Sequence, residues 1–378
     1  MVVVAMSGGV DSSVAAALLK EQGYEVIGAT LKLWCYGETA PSGRTCCSLE
    51  DIADARAVAA RLGIRHVVLD MQGDFDRQVI APFVNAYLNG ETPNPCVECN
   101  THLKFGQLVD FADQVGAEYL ATGHHARRGT GPDGEPAVFR AADRAKDQSY
   151  VLWGVAAPVL ARVLLPVGEL TKADVRAVAD RIQLEVARKP DSQDICFVQA
   201  GHYADFVRAR AQDRIQPGPI VDRDGKVIGR HQGLVDFTVG QRRGLGLGGG
   251  RDRSYVVALD PASNTVQIGE RADLGTQTVR LRNVNWHRAR PPVLGEDLEL
   301  QVRSSSHPGR ARVRQAGPEL VLDLPLPTYG AVAGQSGVLY AGERVAGGGI
   351  IERGARKAED LPVMAQGAKP SAPSRWEV

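Results

Sequence analysis

The sequence carries no surplus of either charge. Its 44 Lys and Arg balance 44 Asp and Glu, so bulk electrostatics do not favour nucleic acid, although a local basic face stays compatible with it. Long apolar runs are missing too. The opening MVVVAMSGG has no basic stretch and only a very short apolar one, so neither a signal peptide nor a membrane span is expected. Cysteine is sparse, six in 378 residues. Without a secretory start, these thiols point to the reducing cytoplasm, where reactive or metal-binding cysteines outrank a disulfide framework. No G-x-x-x-x-G-K-[ST] occurs, which excludes a Walker A phosphate loop. There is no long internal repeat.

What is present reads as more than one module. A chain of this length is too long for a single compact core, and its 44% apolar and 23% charged content is that of a globular protein. The first two hundred residues alternate strands (VVVAM, EVIGATLKLW, HVVLD, AEYLATGHH) with amphipathic helices (SSVAAALLKEQG, SLEDIADARAVAARLGI, FGQLVDFADQVG). That alternation predicts an α/β fold with a parallel, doubly wound sheet. TKADVRAVADRIQL (171–184) adds a helix, with Thr171 and Asp174 as an acidic capping box. Past about residue 210 the texture turns to short β runs broken by Gly, Pro, Asp-Gly and Asn. We expect an α/β module over 1–205, two small β-rich modules over 206–281 and 282–353, and a disordered tail over 354–378.

The first strand runs directly into SGGVDSS (7–13), which opens the first helix. Gly8 and Gly9 let the backbone turn tightly and approach a ligand. The helix N-terminus behind them offers unpaired N–H groups and a positive dipole end, which suit an anion. Ser7, Ser12 and Ser13 add hydroxyls. The loop resembles the PP-loop of ATP pyrophosphatases, which cleave ATP between the α and β phosphates. An acidic side chain beside a polyphosphate calls for a bridging cation, so Asp11 is a candidate helper for Mg²⁺ or for phosphate positioning.

Two further stretches carry thiols. ETPNPCVECNTHLKF (91–105) places Cys96 and Cys99 three positions apart, behind Pro93 and Pro95 and ahead of Lys104. C-x-x-C serves equally as half a zinc site, a redox pair or a sulfur-handling centre, and spacing alone does not choose. A positive charge nearby lowers a thiol pKa toward the reactive thiolate. KPDSQDICFV (189–198) sets Cys196 between Ile195 and Phe197, with Lys189 close by. Taken alone, I-C-F reads as buried core; beside the phosphate loop and C-x-x-C it becomes a second candidate. Cys35, Cys46 and Cys47 lie in an insertion that reads as a surface loop with non-catalytic thiols. A zinc knuckle joining Cys46 or Cys47 to Cys96 and Cys99 is the alternative.

MSGGVDSSVAA, TPNPCVECNTHLKFG, LATGHHAR, KDQSYVLW, KPDSQDICFV, GQRRGLG, GQSGVLY and GGGII occur in that order. As an ordered set they resemble the tRNA-specific 2-thiouridylases of the MnmA type, from residue 1 to about 353. The resemblance implies ATP on Met6, Ser7, Gly8, Gly9, Val10, Asp11, Ser12 and Ser13, with Leu31 and Gly123 closing around the nucleotide. It implies Cys99 as nucleophile and Cys196 as persulfide carrier. ATP would adenylate the C2 oxygen of the wobble uridine, and sulfur from Cys196 would replace it, with a transient Cys99–Cys196 disulfide. Such a disulfide brings the two Cα atoms within roughly 7 Å and calls for a loop movement. The base must leave the anticodon stack to be modified.

Asn94, Pro95 and Cys96, His124, and Lys146, Asp147 and Gln148 match the family's tRNA- and base-contacting positions. Arg303, Ser304 and Gln335 match its anticodon contacts. Ser304 replaces the family's usual aromatic, so base stacking is not implied there. QRRG (241–244), with Arg251 and Arg253, reads either as a phosphate contact or as a solvated turn. Cys96 stands where many members carry Asp. Cys96, Cys99 and Cys196 then make three thiols, enough to hold a [4Fe–4S] cluster with one iron open for sulfide. Persulfide relay and cluster-bound sulfide therefore stand side by side, with a sulfur-carrier protein or cysteine desulfurase as donor. Two rivals remain: another PP-loop ligase, which leaves the thiol segments unexplained, and a zinc-knuckle RNA-binding module, which leaves the 7–13 loop without purpose.

Overall fold

The computed structural model describes residues 1–34, 49–189, 195–198, 203–247 and 254–354. The uncharged run VVVA forms β1 (Val2–Ala5), and burial on both faces suits it to the middle of a parallel sheet. Its side chains alternate between two cores: Val2 and Val4 face one, Val3 the other. The chain continues through α1 (Val10–Glu21), β2 (Val26–Lys32), α2 (Leu49–Leu62), β3 (Arg65–Asp70), α3 (Gln72–Phe75), α4 (Ala81–Leu88), α5 (Pro95–Glu98), α6 (Leu108–Gln114) and β4 (Tyr119–Thr122). Next come the hairpin β5 (Ala126–Thr130) and β6 (Pro136–Arg140), then α7 (Ala157–Leu160), β7 (Val163–Leu164), α8 (Lys172–Arg181) and α9 (Tyr203–Ala211).

The first sheet has the order β3-β2-β1-β4-β7, every pair parallel. Residues of α1, α2 and α8 (Val14, Val58, Val175) cover one face, and residues from α4 to α6 (Phe83, Leu103, Leu108) cover the other. This is the doubly wound α/β fold the alternation predicts. Strand order reverses between β1 and β4, and such a switch point leaves a ligand crevice beyond the carboxyl ends of the strands.

A second sheet, β10 (Tyr255–Asp260), β11 (Thr265–Gly269), β8 (Gly218–Val221) and β9 (Val227–His231), follows in that spatial order. The third contains β12 (Gly275–Trp286), β13 (Asp297–Gln301), β14 (Gly309–Gln315), β15 (Leu320–Tyr329), β16 (Ser336–Ala341) and β17 (Arg344–Ile351). Because β12 pairs with both β15 and β17, these six antiparallel strands close on themselves, which leaves the ring without open edges.

Three features depart from the sequence reading. The expected division at 281/282 falls inside β12, whose long-range pairing holds 275–286 in one strand. The hairpin β5–β6 leaves the first sheet and adds to β17. The helix read at 105–116 begins earlier, as a wide-turned segment over Cys99–Gln107 that runs on from α5. Cys35, Cys46, Cys47, Arg251, Arg253 and the tail from 355 lie outside the described residues.

The barrel is bonded to the first module. Trp153 Nε1 donates to Ser336 Oγ at 2.9 Å, Tyr150 OH to the Ser336 carbonyl at 2.7 Å, and Asn285 Nδ2 to the Trp153 carbonyl at 2.7 Å. Arg344, buried, pairs with Asp133 at 2.8 Å.

Candidate active site

The crevice at the switch point is built from two glycines. Gly8 has φ +72°, and a Cβ there would stand 2.3 Å from the Asp51 carbonyl. Gly123, just past β4, lies so close to α1 that a Cβ would meet Ser12 N at 2.5 Å. Gly9 caps α1 with no side-chain cap, so the cradle is made of backbone. Ser12 and Ser13 hydroxyls donate back to the Gly9 carbonyl at 3.1 and 2.8 Å, and Ser7 N donates to Ser12 Oγ at 3.1 Å. Met6 continues the sheet, its carbonyl accepting from Thr30 Oγ1 at 2.7 Å.

Asp11 sits in the first turn of α1. Both of its oxygens lie 2.8 Å from Lys172 Nζ, and Oδ1 lies 3.1 Å from His125 Nε2. Burial pushes the Asp11 carboxyl up, but the bonds from His125 and Lys172 outweigh it and hold the group below the usual carboxylate range. Lys172 is placed by the capping box, in which Thr171 and Asp174 bond each other's backbone and side chain as the sequence predicts.

The thiol region lies on the other face of the sheet. Asn94 caps α5, its Oδ1 accepting from Cys96 N at 3.2 Å, and Pro95 takes the first helical position. Cys96 is exposed and Cys99 buried. Cys99 and Phe197 belong to one apolar core, and Cys196 packs against it. Phe197 anchors that segment edge-on to Phe83 of α4 at 5.1 Å. A cavity of about 270 Å³ lies here, walled by Phe83, by Asn94, Pro95, Val97 and Glu98, and by Trp153 and Arg282. Arg282 pairs with Glu91 at 2.9 Å across its rim. His124 links the crevice to this region: its ring lies 6.0 Å from that of Phe105, and its Nδ1 is 2.7 Å from Thr122 Oγ1. Burial first, then the charges of Lys104 and His125, hold the His124 pKa well below its ordinary value, so the imidazole is neutral.

The family models match in three consecutive blocks: the tRNA methyl transferase HUP domain over residues 1–200, the tRNA methyl transferase PRC-barrel domain over 204–270, and the Aminomethyltransferase beta-barrel domain over 276–351. The chain is 47% identical over 381 residues to the tRNA-specific 2-thiouridylase MnmA of Rhodospirillum centenum, covering 98% of this chain and 95% of that one. It is 46% identical over 363 residues to the MnmA of Moorella thermoacetica, with 92% and 98% covered. The chain belongs to the MnmA family of tRNA-specific 2-thiouridylases. Among solved structures, a 4-thiouridine synthetase–RNA complex with bound ATP aligns with TM-score 0.34 and 15% identity, over 56% of this chain and 50% of that one; a likeness this slight carries no argument.

Against the positions implied by the MnmA resemblance, the structure gathers Met6 to Ser13 and Gly123 into one crevice. Leu31 is buried in the core beside it. Asn94 and Pro95 line the cavity. Gln335 Nε2 donates to the Thr92 carbonyl at 2.8 Å, which sets the barrel against the cysteine loop. Asp147 is spent inside the fold, accepting from Ala141 N, Ser149 N and Ser149 Oγ at 3.0 Å each. Gln148, exposed, holds His125 N at 2.8 Å, and Lys146 is partly buried beside it. Arg303 and Ser304 are exposed on the barrel, Arg303 Nε bonding the Gly330 carbonyl.

The three thiols do not fit an iron–sulfur cluster. Cys96 faces solvent while Cys99 faces the core, and among the described residues no three His, Cys, Asp or Glu side chains gather to hold a metal. Sequence reasoning missed His125 and Lys172. Their signals were slight: the second His of GHH, and a lysine directly after a helix cap.

Proposed function

We propose that this chain is a cytoplasmic, ATP-dependent tRNA sulfurtransferase that replaces the C2 oxygen of wobble uridine by sulfur. The observation that carries the reading is the cavity beside α5. One wall, Val97–Glu98, runs directly into Cys99; another, Phe83, packs on the neighbour of Cys196. His124 joins this region to the nucleotide crevice. A base turned out of the anticodon stack would enter there, between Asn94 and Pro95 and the barrel.

The uridine C2 oxygen attacks the α-phosphorus of ATP and takes the adenylyl group, and pyrophosphate leaves along the loop of residues 6–13, where backbone N–H groups hold it. Asp11, ionised and acidic, suits Mg²⁺; the cation, when bound, neutralises charge on the polyphosphate. The outer sulfur of a Cys196 persulfide then attacks C2 and AMP departs with the original oxygen. Cys99 thiolate takes Cys196 Sγ, forming the disulfide while the transferred sulfur keeps the electron pair as thiocarbonyl. A thiol reductant resets the pair. His124, neutral, serves RNA through hydrogen bonding or stacking rather than ion pairing. Arg303, Ser304 and Gln335 on the barrel serve the anticodon arm, and a sulfur carrier or desulfurase loads Cys196. We take the modules as 1–205, 206–274 and 275–353, the last beginning with β12. Among the described residues no helix is long and apolar enough to cross a membrane.

Nucleoside mass spectrometry after incubation with tRNA, ATP, Mg²⁺ and a sulfide or persulfide donor tests the reading. We expect 2-thiouridine at the wobble position, with one AMP and one pyrophosphate released for each. RNA binding without ATP consumption would favour the non-catalytic alternative.

A further inference from the structure

The Asp11–Lys172 ion pair joins the first turn of α1 to the start of α8 inside the nucleotide crevice. A partly buried pair is weak support for stability, and a carboxylate in a phosphate cradle repels its ligand. Yet Lys172 Nζ reaches both Asp11 oxygens at 2.8 Å across 161 residues of chain. The backbone around the lysine is fixed: its N donates to Asp143 at 3.1 Å, and the Thr171–Asp174 box sets the helix start. Its side chain is only 11% exposed. A lysine head has three donors on a four-carbon stem, so it can turn from one acceptor to another without moving the helix. His125 is different. Gln148 clamps its backbone N and carbonyl, each at 2.8 Å. Its ring is buried, with Nδ1 unpartnered among the described residues and Nε2 aimed at Asp11. Facing an acceptor-only carboxylate, Nε2 is the protonated nitrogen.

We infer that Lys172 is a phosphate-binding residue of the nucleotide site, stored on Asp11 until the triphosphate arrives, and that His125 is the positioning residue that keeps Asp11 in place when Lys172 turns away. Before ATP binds, the pair is neutral and the cradle does not repel its ligand. Once ATP is bound, the more highly charged phosphates win the ammonium, and Asp11 is released toward the cation. This rests on the reading of residues 6–13 as the ATP site.

Calorimetric titration of ATP, first in EDTA and then with Mg²⁺, separates the possibilities. In EDTA, Lys172→Met should weaken ATP binding about 10- to 100-fold, the worth of a hydrogen bond to a charged group. Lys172→Arg, which keeps the charge but replaces the compact head by a larger planar fork, should recover part of that loss. The double variant Asp11→Asn with Lys172→Met should remain weak, whereas Asp11→Asn alone, which removes the negative charge that competes with phosphate for the lysine, should bind ATP at least as tightly as wild type without Mg²⁺. Equal binding by Lys172→Met and wild type would overturn the inference. So would a double variant restored to wild-type affinity, which would make Lys172 only the counter-ion of Asp11. If thermal unfolding shows that Lys172→Met does not fold, Asp11→Asn decides, and weaker binding in EDTA overturns the proposal. A wild-type protein that binds no ATP at all overturns the nucleotide reading, and this inference with it.

Discussion

His287 shows how far a single residue's setting departs from its sequence. It lies one position past β12, buried, its Nε2 2.8 Å from the Val155 carbonyl and its Nδ1 without a partner among the described residues. Burial, only partly offset by that bond, lowers its pKa from 6.5 to about 4. In the unfolded chain the ring protonates near 6.5, in the folded chain only near 4. Between those values the unfolded state binds more protons, so stability falls as pH drops through the window and levels off below it. In urea unfolding, wild type should lose about 2 kcal/mol more between pH 7 and pH 5 than His287→Gln. Parallel pH profiles would show that His287 is not buried in its neutral form. None of this was legible beforehand, because the partner carbonyl is 132 residues away.

At the scale of elements, what the sequence reveals depends on how local the cause is. The turn after β1 is written in SGG, and the start of α8 in T-K-A-D, so both were legible. The path of β12 through residue 282 was not, since β15 and β17 hold it there. Nor was the transfer of β5–β6 to the barrel, which depends on contacts with β17. The packing of β4 on α1 stands between these cases, for Gly123 was recognised but the reason for it was not. Replacing it by Ala puts a Cβ 2.5 Å from Ser12 N. Gly123→Ala should cost about 1–3 kcal/mol in denaturant unfolding and weaken ATP binding by about tenfold or more. Gly309→Ala, with nothing within 4 Å of its new Cβ, is the control and should do neither. Unchanged ATP affinity in a folded Gly123→Ala protein would separate that contact from the nucleotide site.

Across the whole molecule, the barrel, the α/β module and the cysteine loop meet around one cavity, and the Cys196 segment packs behind its Phe83 wall. Gln335 sets the barrel on the cysteine loop, Trp153 and Tyr150 bond to Ser336, and Phe197 ties the Cys196 segment to α4. The two thiol motifs, about a hundred residues apart in sequence, were legible as motifs; that they border one apolar core required the fold. The relay between them is the central claim, and single-turnover mass analysis of the cysteine peptides tests it most directly. Protein loaded with persulfide sulfur is mixed with tRNA and ATP, then digested without reductant. The account predicts one extra sulfur on the Cys196 peptide beforehand, and afterwards a Cys99–Cys196 disulfide in proportion to the 2-thiouridine formed. Thiolation at the normal rate by Cys196→Ser, or product formed with Cys196 never carrying the added sulfur, would contradict it.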